Sequence, residues 1–248
     1  MADSLVIIPT YNERENIEKV IRLIFSLPRD FHVLVVDDNS PDETAGLVRE
    51  LIKVFPEQLF LETRAGKLGL GTAYIHGFKW ALQKQYEYIF EMDADLSHNP
   101  DDLIHLYEAC AKEGYDLAIG SRYIDGVNVV NWPMGRVLMS YFASIYVRVI
   151  TGMPIHDTTA GFKCYNRSVL EAIDLDDIRF SGYAFQIEMK FTAWKLGFKI
   201  KEVSIVFTDR TEGDSKMSTG IFKEAVMGVI KLRWQSLVNK KKYQAISR

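Results

Sequence analysis

Cysteine is scarce in this chain, which has only Cys110 and Cys164 among its 248 residues. Two cysteines so far apart form neither a C-x-x-C site nor a disulfide framework, and reduced thiols are the simpler expectation. Residues 5–8 form a short apolar run near the N-terminus. A signal peptide would have a basic region followed by a longer apolar segment, and because neither is present we expect no signal peptide. These absences argue against a secreted, disulfide-stabilised protein and favour a cytoplasmic one.

The chain also lacks an excess of positive charge and a long hydrophobic run. Its net charge is −3, so no overall basic field favours a nucleic-acid partner. The longest nearly uncharged stretch, residues 137–147, lies between Arg136 and Arg148 and falls short of the roughly 20 apolar residues that cross a bilayer. The composition, 48% hydrophobic and 25% charged, is that of an ordinary globular chain and is compatible with one large domain.

Short apolar runs alternate with helical patterns along the chain. Asn12, with Glu15 three residues later, resembles a capping box at the start of the first helix. The predicted strands are 5–8, 33–36, 59–61, 88–92, 117–119, 162–165 and 200–207, and the later predicted helices include 72–85, 103–112, 137–150, 184–196 and 222–238. This alternation predicts a single α/β domain with a mostly parallel, Rossmann-like sheet and helices on both faces.

No linker rich in proline, glycine or serine divides the chain. We therefore interpret residues 1–122 as a nucleotide-binding half and 123–220 as an acceptor half of one domain, followed by an amphipathic basic helix and tail over 221–248. No acidic residue follows Glu224, and a basic amphipathic end attracts anionic lipid. Peripheral membrane contact is one interpretation of this end, and a solvated tail or a helix that binds a partner is the other.

Carboxylates follow two of the predicted strands directly. Asp93 and Asp95 come after the run 88–92, and Asp38 comes after 33–36. Ligands of open parallel sheets bind beyond the carboxyl ends of the strands, where Asp93 and Asp95 would hold a divalent ion on a diphosphate and Asp38 would accept hydrogen bonds from a base or ribose. The alternative is that these residues only form polar turns and cap the next helices.

The glycine-rich stretch 66–72 fits neither common phosphate-binding pattern. A tight turn and a ligand loop explain it equally well, with Lys67 as the phosphate partner in the second case. Basic residues lie near predicted element ends in the second half, where Arg side chains would match phosphate oxygens, although each alone also fits a solvated surface charge. They are Arg122, Arg136, Arg210 and Lys216.

Six segments taken in order resemble family-2 glycosyltransferases, specifically dolichyl-phosphate (polyprenyl-phosphate) mannose synthases. They are residues 9–13, 35–42, 66–71, 93–97, 120–123 and 157–162. The resemblance spans about residues 5–218 and implies the GT-A glycosyltransferase fold. It implies a nucleotide-sugar site that consists of Pro9, Tyr11, Glu13, Val36, Asp38, Asp93, Ala94, Asp95 and Lys216. The implied metal ligands are Asp93, Asp95 and Ser97, and the implied ligands of the acceptor phosphate are Arg122, Arg136 and Arg210. Catalytic roles are implied for Asp95, Arg122 and Arg210.

The same resemblance implies the reaction, which is transfer of mannose from GDP-mannose to polyprenyl or dolichyl phosphate, with inversion and with Mg²⁺ or Mn²⁺. Some archaeal members carry Gln where Ser97 stands, so the third metal ligand is left open. Many members continue into transmembrane helices that this chain lacks, which implies a peripheral location at the cytosolic membrane face or a membrane partner subunit. A polyprenyl-phosphate glucosyltransferase that uses UDP-glucose and a non-catalytic, membrane-associated nucleotide-binding protein remain the alternatives.

Overall fold

A computed structural model describes residues 2–209 and 219–238. Arg210, Lys216 and the basic tail therefore lie outside the described residues. The strands are β1 (Ser4–Thr10), β2 (His32–Asp37), β3 (Leu59–Thr63), β4 (Tyr88–Glu91), β5 (Leu117–Ser121), β6 (Val129–Val130), β7 (Lys163–Asn166), β8 (Ile200–Ser204) and β9 (Phe207–Thr208). The helices are α1 (Arg14–Phe25), α2 (Thr44–Val54), α3 (Leu70–Leu82), α4 (Asp102–Ala111), α5 (Met134–Thr151), α6 (Arg167–Ala172), α7 (Tyr183–Lys195) and α8 (Thr219–Val238).

The main sheet has seven strands in the order β3-β2-β1-β4-β7-β5-β8. Strand β7 runs antiparallel to β4 and β5, and the other neighbouring strands pair in parallel. Strands β6 and β9 form a separate parallel pair. The predicted mostly parallel sheet in one α/β domain is confirmed.

Both faces of the sheet are buried. Leu5 and Ile7 of β1 belong to the apolar cluster that includes residues of α3 and α7, whereas Val6 and Ile8 belong to the cluster that includes residues of α1, α2 and α4. Because successive side chains of a strand point to opposite faces, β1 has to be apolar throughout. The continuous apolar run is the signature of a parallel strand covered by helices on both sides.

The predicted capping box at Asn12 is wrong. Asn12 has a backbone φ of 56°, and α1 begins only at Arg14, without a side-chain cap. The loop that carries Asn12 is instead tied to the loop after β2, because the Asn12 N–H donates to Ser40 Oγ at 3.0 Å and the Glu13 N–H donates to Thr44 Oγ1 at 3.1 Å. The contacts fix the loop over the carboxyl ends of β1 and β2.

The second half differs from the sequence predictions in detail. The single strand predicted over 200–207 is divided into β8 and β9, because the chain turns at residues 205–206 so that β9 can pair with β6. Strand β6 lies in a segment with no predicted strand, and α8 begins at Thr219, so the boundary expected after residue 220 falls inside that helix. None of the helices within residues 2–209 and 219–238 combines the length and apolar composition needed to cross a bilayer.

Candidate active site

Three adjacent strands carry the predicted nucleotide-sugar residues other than Lys216 to one edge of the sheet. Strands β2, β1 and β4 are neighbours and parallel, so their carboxyl ends coincide. Pro9 of β1 is the register partner of Val36 of β2, Asp38 follows β2, and residues 93–95 follow β4. The structure therefore brings the two acidic segments together at the edge where ligands of such sheets bind.

Asp38 is held by a residue that the sequence interpretation missed. Arg64 Nε donates to Asp38 Oδ1 at 2.6 Å, and the Leu68 N–H donates to Oδ2 at 3.1 Å. Arg64 also donates to the Thr72 hydroxyl at 2.8 Å and to the Gly69 carbonyl at 3.3 Å. This set of contacts fastens the glycine-rich loop to the carboxyl end of β2. The feature of the sequence that could have identified Arg64 as a site residue is its position directly after β3.

Asp93 and Asp95 line one cavity, and hydrogen bonds hold their carboxylates in place. Asp95 Oδ1 accepts the Ser97 backbone N–H at 3.1 Å and the Ser97 hydroxyl at 2.5 Å, and Asp93 Oδ1 accepts the Tyr74 hydroxyl at 3.3 Å. Helix α4 has Asp101 at its N-cap position, so Asp101 lies where a capping residue was expected and Asp95 does not itself cap the helix. Asp95 orients a loop, not a helix end.

The donor set at this loop fits a hard divalent cation. No cluster of three or more His, Cys, Asp or Glu side chains suited to a metal occurs among residues 2–209 and 219–238. Two carboxylates with the Ser97 hydroxyl beside them form only a partial oxygen shell, which suits an ion that takes its remaining ligands from a diphosphate and water. The role of Ser97 as a third ligand stays a prediction.

The cavity has a volume of about 500 Å³ and combines two kinds of surface. Its polar lining includes Asp93, Asp95, Ser97, His98, Arg122, Trp132, Arg136 and Gln186. Its apolar lining comes largely from α5 and α8 and includes Met139, Phe142, Ala143, Tyr146, Val147, Val226 and Val229. From Arg136 to Val147 the α5 axis advances about 16 Å at the usual helical rise. The α5 part of the lining is therefore basic at Arg136 and mainly apolar from Met139 to Val147.

Arg122 is a buried, fixed cation and not the solvated surface charge that the sequence also allowed. Its Nε and one of its terminal nitrogens each donate to Asp157 at 2.6 Å. The same terminal nitrogen also donates to the Thr159 hydroxyl at 2.8 Å. Burial raises the pKa of Asp157, but the Arg122 charge outweighs this, and the pKa lies below its usual range. The paired geometry holds the guanidinium at the cavity wall.

Arg136 and Trp132 stand beside Arg122. The Arg136 guanidinium lies 4.2 Å from the centroid of the Trp132 ring, and that of Arg122 lies 5.4 Å from it. Arg136 also donates to Asp209 at 2.9 Å. Two of the four basic residues predicted from the sequence thus meet at this cavity, while Arg210 and Lys216 lie outside the described residues.

His98 forms part of the cavity wall, which no residue spacing in the sequence indicated. Its ring stacks on Phe162 with centroids 4.8 Å apart, and the Asp93 N–H donates to its Nδ1 at 3.3 Å. Burial lowers the pKa of His98 to about 4. The ring is therefore neutral at physiological pH and supports the Asp93 backbone.

A second group of polar residues, here called the polar wall, is buried behind the cavity and consists of Glu91, Lys163, Gln186 and Lys190. Lys163 Nζ lies 3.0 Å from Glu91 Oε1, Gln186 donates to Glu91 Oε2 at 2.7 Å, and Lys163 also bonds to Gln186. Lys190 donates to the Ala160 carbonyl at 2.6 Å. Burial lowers the pKa of Lys190 well below its usual value, with the Lys163 charge adding to this effect.

Helices α5 and α8, here together called the apolar wall, contact each other and supply much of the apolar lining. Their exposed apolar side chains are Met134, Leu138, Met139, Tyr141, Phe142 and Val149 of α5 and Met227, Ile230, Trp234, Leu237 and Val238 of α8. Met139 and Phe142 are exposed and also line the cavity. The cavity therefore opens onto an apolar outer surface.

The family model described as glycosyl transferase family 2 matches residues 5–174. The chain belongs to glycosyl transferase family 2. This family 2 glycosyltransferase is 46% identical over 226 residues to the polyprenol monophosphomannose synthase of Mycolicibacterium smegmatis, covering 91% of this chain and 85% of the relative. It is 44% identical over 237 residues to the undecaprenyl-phosphate mannosyltransferase of Micrococcus luteus, covering 94% of this chain and 96% of the relative.

Solved structures support the GT-A fold of this glycosyltransferase. A mannosyltransferase from Pyrobaculum calidifontis, in complex with GDP-Man and Mn²⁺, matches with a TM-score of 0.56 at 17% identity over 98% of this chain and 76% of the other. A second match is glucosyl-3-phosphoglycerate synthase from Mycobacterium tuberculosis in complex with Mn²⁺, UDP and glucosyl-3-phosphoglycerate. Its TM-score is 0.61 at 17% identity, over 98% of this chain and 80% of the other. At such identities the likeness concerns the fold alone.

Proposed function

We propose that this glycosyltransferase transfers mannose from GDP-mannose to the phosphate of a polyprenyl or dolichyl phosphate, with inversion at the sugar carbon. The observation that carries the proposal is the cavity, whose lining combines carboxylates and guanidinium groups with apolar side chains of α5 and α8. A ligand that matches this lining has an anionic head and a long apolar tail. The names of the two curated relatives, at 44% and 46% identity, describe mannosyl transfer to such lipids.

Asp93 and Asp95 would hold Mg²⁺ or Mn²⁺ together with the donor diphosphate. When bound, the ion supplies stabilisation of the charge that develops on the leaving GDP. Ser97 and Tyr74 donate hydrogen bonds to these carboxylates and so fix their orientation before the donor arrives. Pro9, Tyr11, Glu13, Val36, Asp38 and Ala94 remain the predicted contacts of the nucleotide and sugar.

Arg122 and Arg136 would hold the acceptor phosphate. One of its oxygens bonds to the anomeric carbon of mannose while the bond from that carbon to the GDP oxygen breaks, so GDP leaves with the electron pair. A phosphate is already anionic near neutral pH, and positioning by two guanidinium groups replaces a dedicated general base. The predicted roles of Arg210 and Lys216 in the same step stay predictions.

The apolar wall would rest against a lipid surface at the cytosolic face of the membrane. Exposed apolar side chains of α5 and α8 are accompanied by the cations Arg148, Lys231 and Arg233 of the same helices. Apolar contact together with basic charge is the usual basis of peripheral binding to anionic lipid. A lipid acceptor would then enter the cavity beside Met139 and Phe142 without leaving the bilayer. A membrane partner subunit stays a prediction.

A donor screen tests the proposed function. Purified protein is mixed with a short polyprenyl phosphate, Mn²⁺ or Mg²⁺ and labelled GDP-mannose or UDP-glucose, and the label extracted into organic solvent is counted. We expect GDP-mannose to label the lipid and EDTA to abolish the signal. Labelling from UDP-glucose in place of GDP-mannose would establish the glucosyltransferase alternative, and nucleotide binding without any labelled lipid would establish the non-catalytic one.

The variant D95N tests the metal role separately. Losing one carboxylate of the diphosphate site removes several kcal/mol of transition-state stabilisation, so we expect turnover to fall about 1000-fold or more. The matched control D176N alters an exposed carboxylate of the Lys79 ion pair and leaves turnover unchanged. Near-normal turnover in a folded D95N protein would remove the metal role of Asp95.

A further inference from the structure

Trp132 has an indole N–H without a partner. Its Nε1 is buried and makes no hydrogen bond to any residue within 2–209 and 219–238. A buried Trp N–H usually finds an acceptor, because an unpaired buried donor is unfavourable. Trp132 also lines the cavity. A ligand in the cavity is therefore the natural source of the missing acceptor.

The position of the ring is fixed from several sides. The guanidinium of Arg136 lies 4.2 Å from the ring centroid, and the Phe207 ring meets the indole at 5.2 Å with an interplanar angle of 66°. Cation–π and edge contacts of this kind hold an aromatic ring in one orientation. Trp132 therefore presents a pre-oriented donor beside the two cations of the cavity.

The chemistry of these groups selects an anionic oxygen. Arg122, Arg136 and the Trp132 indole all donate hydrogen bonds and accept none. Their carboxylate partners, Asp157 and Asp209, hold the guanidinium groups by 2.6 Å and 2.9 Å contacts. A phosphate presents several oxygens, so it can accept from an indole and two guanidinium groups at once.

The location separates the acceptor phosphate from the donor diphosphate. Trp132 lies just before α5, and the residues of α5 that follow Arg136, beginning with Met139, form the apolar lining. A phosphate whose tail lies along α5 places its head beside Trp132. The donor diphosphate has its own proposed site at Asp93 and Asp95.

We propose that Trp132 Nε1–H donates a hydrogen bond to the phosphate of the lipid acceptor and so helps to determine acceptor binding. This proposal rests on the proposed function, because it takes the acceptor to be a polyprenyl phosphate. The indole adds a directional, uncharged donor to the two cations, and its contribution does not titrate with pH.

The variant W132F tests the proposal by removing the N–H while keeping an aromatic ring beside the guanidinium groups. We expect the KM for polyprenyl phosphate to rise about tenfold, the usual effect of losing a hydrogen bond to a charged group. The KM for GDP-mannose and the melting temperature stay unchanged. The matched control W80F alters a Trp that packs on Phe60 and Tyr86 outside the cavity, and its acceptor KM stays at the wild-type value.

A titration without donor gives a second, direct measurement. Protein labelled with ¹⁵N in its tryptophans shows indole signals from Trp80, Trp132, Trp194 and Trp234, and the signal absent from W132F belongs to Trp132. Geranyl phosphate should move the Trp132 indole proton downfield and leave that of Trp80 in place. GDP with Mg²⁺, which is diamagnetic and does not broaden nearby signals, should not move the Trp132 signal.

The outcomes separate the two proposals. A wild-type protein that labels no lipid would overturn the proposed function, while the titration would still decide the role of Trp132. An active wild type with an unchanged acceptor KM in W132F, or an unmoved Trp132 signal with geranyl phosphate, would overturn the Trp132 proposal alone. A raised KM for GDP-mannose with an unchanged acceptor KM would assign the indole to the donor and also overturn it.

Discussion

The two sides of the cavity reverse the usual distribution of side chains. In α7, residues 184–193 are all buried, although they include Gln186, Glu188 and Lys190. In α5, by contrast, Met134, Phe142 and Val149 are largely exposed. Charged residues are seldom buried unless paired, and contiguous exposed apolar surface marks a binding site. Both helices therefore depart from the ordinary pattern beside the same cavity.

The reasons for the two departures differ. The buried charged groups of α7 are paired within the fold, as when Glu188 Oε2 accepts the N–H groups of Arg179 and Phe180 at 2.9 and 3.2 Å. Hydrogen bonds and ion pairs within the fold offset the desolvation of these groups, and the same contacts make the polar wall rigid. The apolar residues of α5 keep their surface in water until a ligand or lipid covers it. The comparison predicts that changes in the polar wall affect stability, whereas changes in the apolar wall affect binding.

The largest expected effect comes from K163M in the polar wall. Removing the Lys163 charge leaves Glu91 buried without its cation, and breaking a buried pair in this way typically costs about 3–5 kcal/mol. Urea unfolding measures the difference. The matched control K79M breaks the exposed pair with Asp176 and should cost less than about 1 kcal/mol. Equal losses in the two variants would contradict the comparison.

A pH effect on stability is expected from His98. Its folded pKa of about 4 lies below the ordinary 6.5, so the unfolded chain binds the proton more tightly. The free energy of unfolding of the metal-free protein should therefore be highest above pH 6.5 and fall by about 3 kcal/mol as the pH drops to 4. Unfolding curves of wild type and H98Q at pH 7 and pH 4.5 measure this. An identical pH dependence in H98Q would show that His98 is not responsible.

G71A tests the close packing of α3 against the segment that carries the polar wall. A Cβ at Gly71 would meet Phe185 Cγ at 2.7 Å and the Phe180 carbonyl at 2.8 Å, and overpacking of this kind usually costs about 1–3 kcal/mol. A Cβ at Gly66 would meet nothing within 4 Å, so G66A should stay within about 0.5 kcal/mol of wild type. Thermal unfolding of both variants measures the contrast, and a destabilised G66A with an unaffected G71A would refute it.

The smallest effect on stability is expected in the apolar wall. Val149 of α5 and Val54 of α2 are 75% and 57% exposed, so V149S and V54S should each change the free energy of unfolding by less than about 0.5 kcal/mol. Only V149S should weaken binding to anionic vesicles, by roughly threefold to tenfold for one buried valine. Cosedimentation with vesicles measures it. Equal vesicle binding by the two variants would argue against α5 as the lipid-contacting surface.

Sequence patterns predicted the elements whose signals are local. The apolar runs of β1, β2 and β4 required strands covered on both faces, and the rule for the carboxyl ends of parallel strands placed Asp38 and Asp95 on one edge. No comparable rule orients a helix that is apolar on several sides. Ile230, Trp234 and Leu237 share one side of α8 in the pattern, yet they are exposed, and Val229 and Leu232 are buried.

The contacts that define the site were not predictable because they join distant positions. Arg64 and Asp38 are 26 residues apart, and Arg122 and Asp157 are 35 apart, so no local spacing relates them. Trp132 stood in a segment without periodicity, and only its neighbours in space show that its N–H lacks an acceptor. Individual residue types indicated phosphate chemistry, but the pairs that orient them form only when distant segments of the chain fold together.

Strand β7 has a consequence for dissecting the molecule. It is the antiparallel neighbour of both β4 and β5 and joins the chain's early strands to β5 and β8. A fragment that stops before residue 163 would leave β4 and β5 with bare hydrogen-bonding edges, which promote intermolecular strand pairing. We therefore expect the first 122 residues to aggregate when expressed alone, and functional chimeras to need crossover points beyond β8.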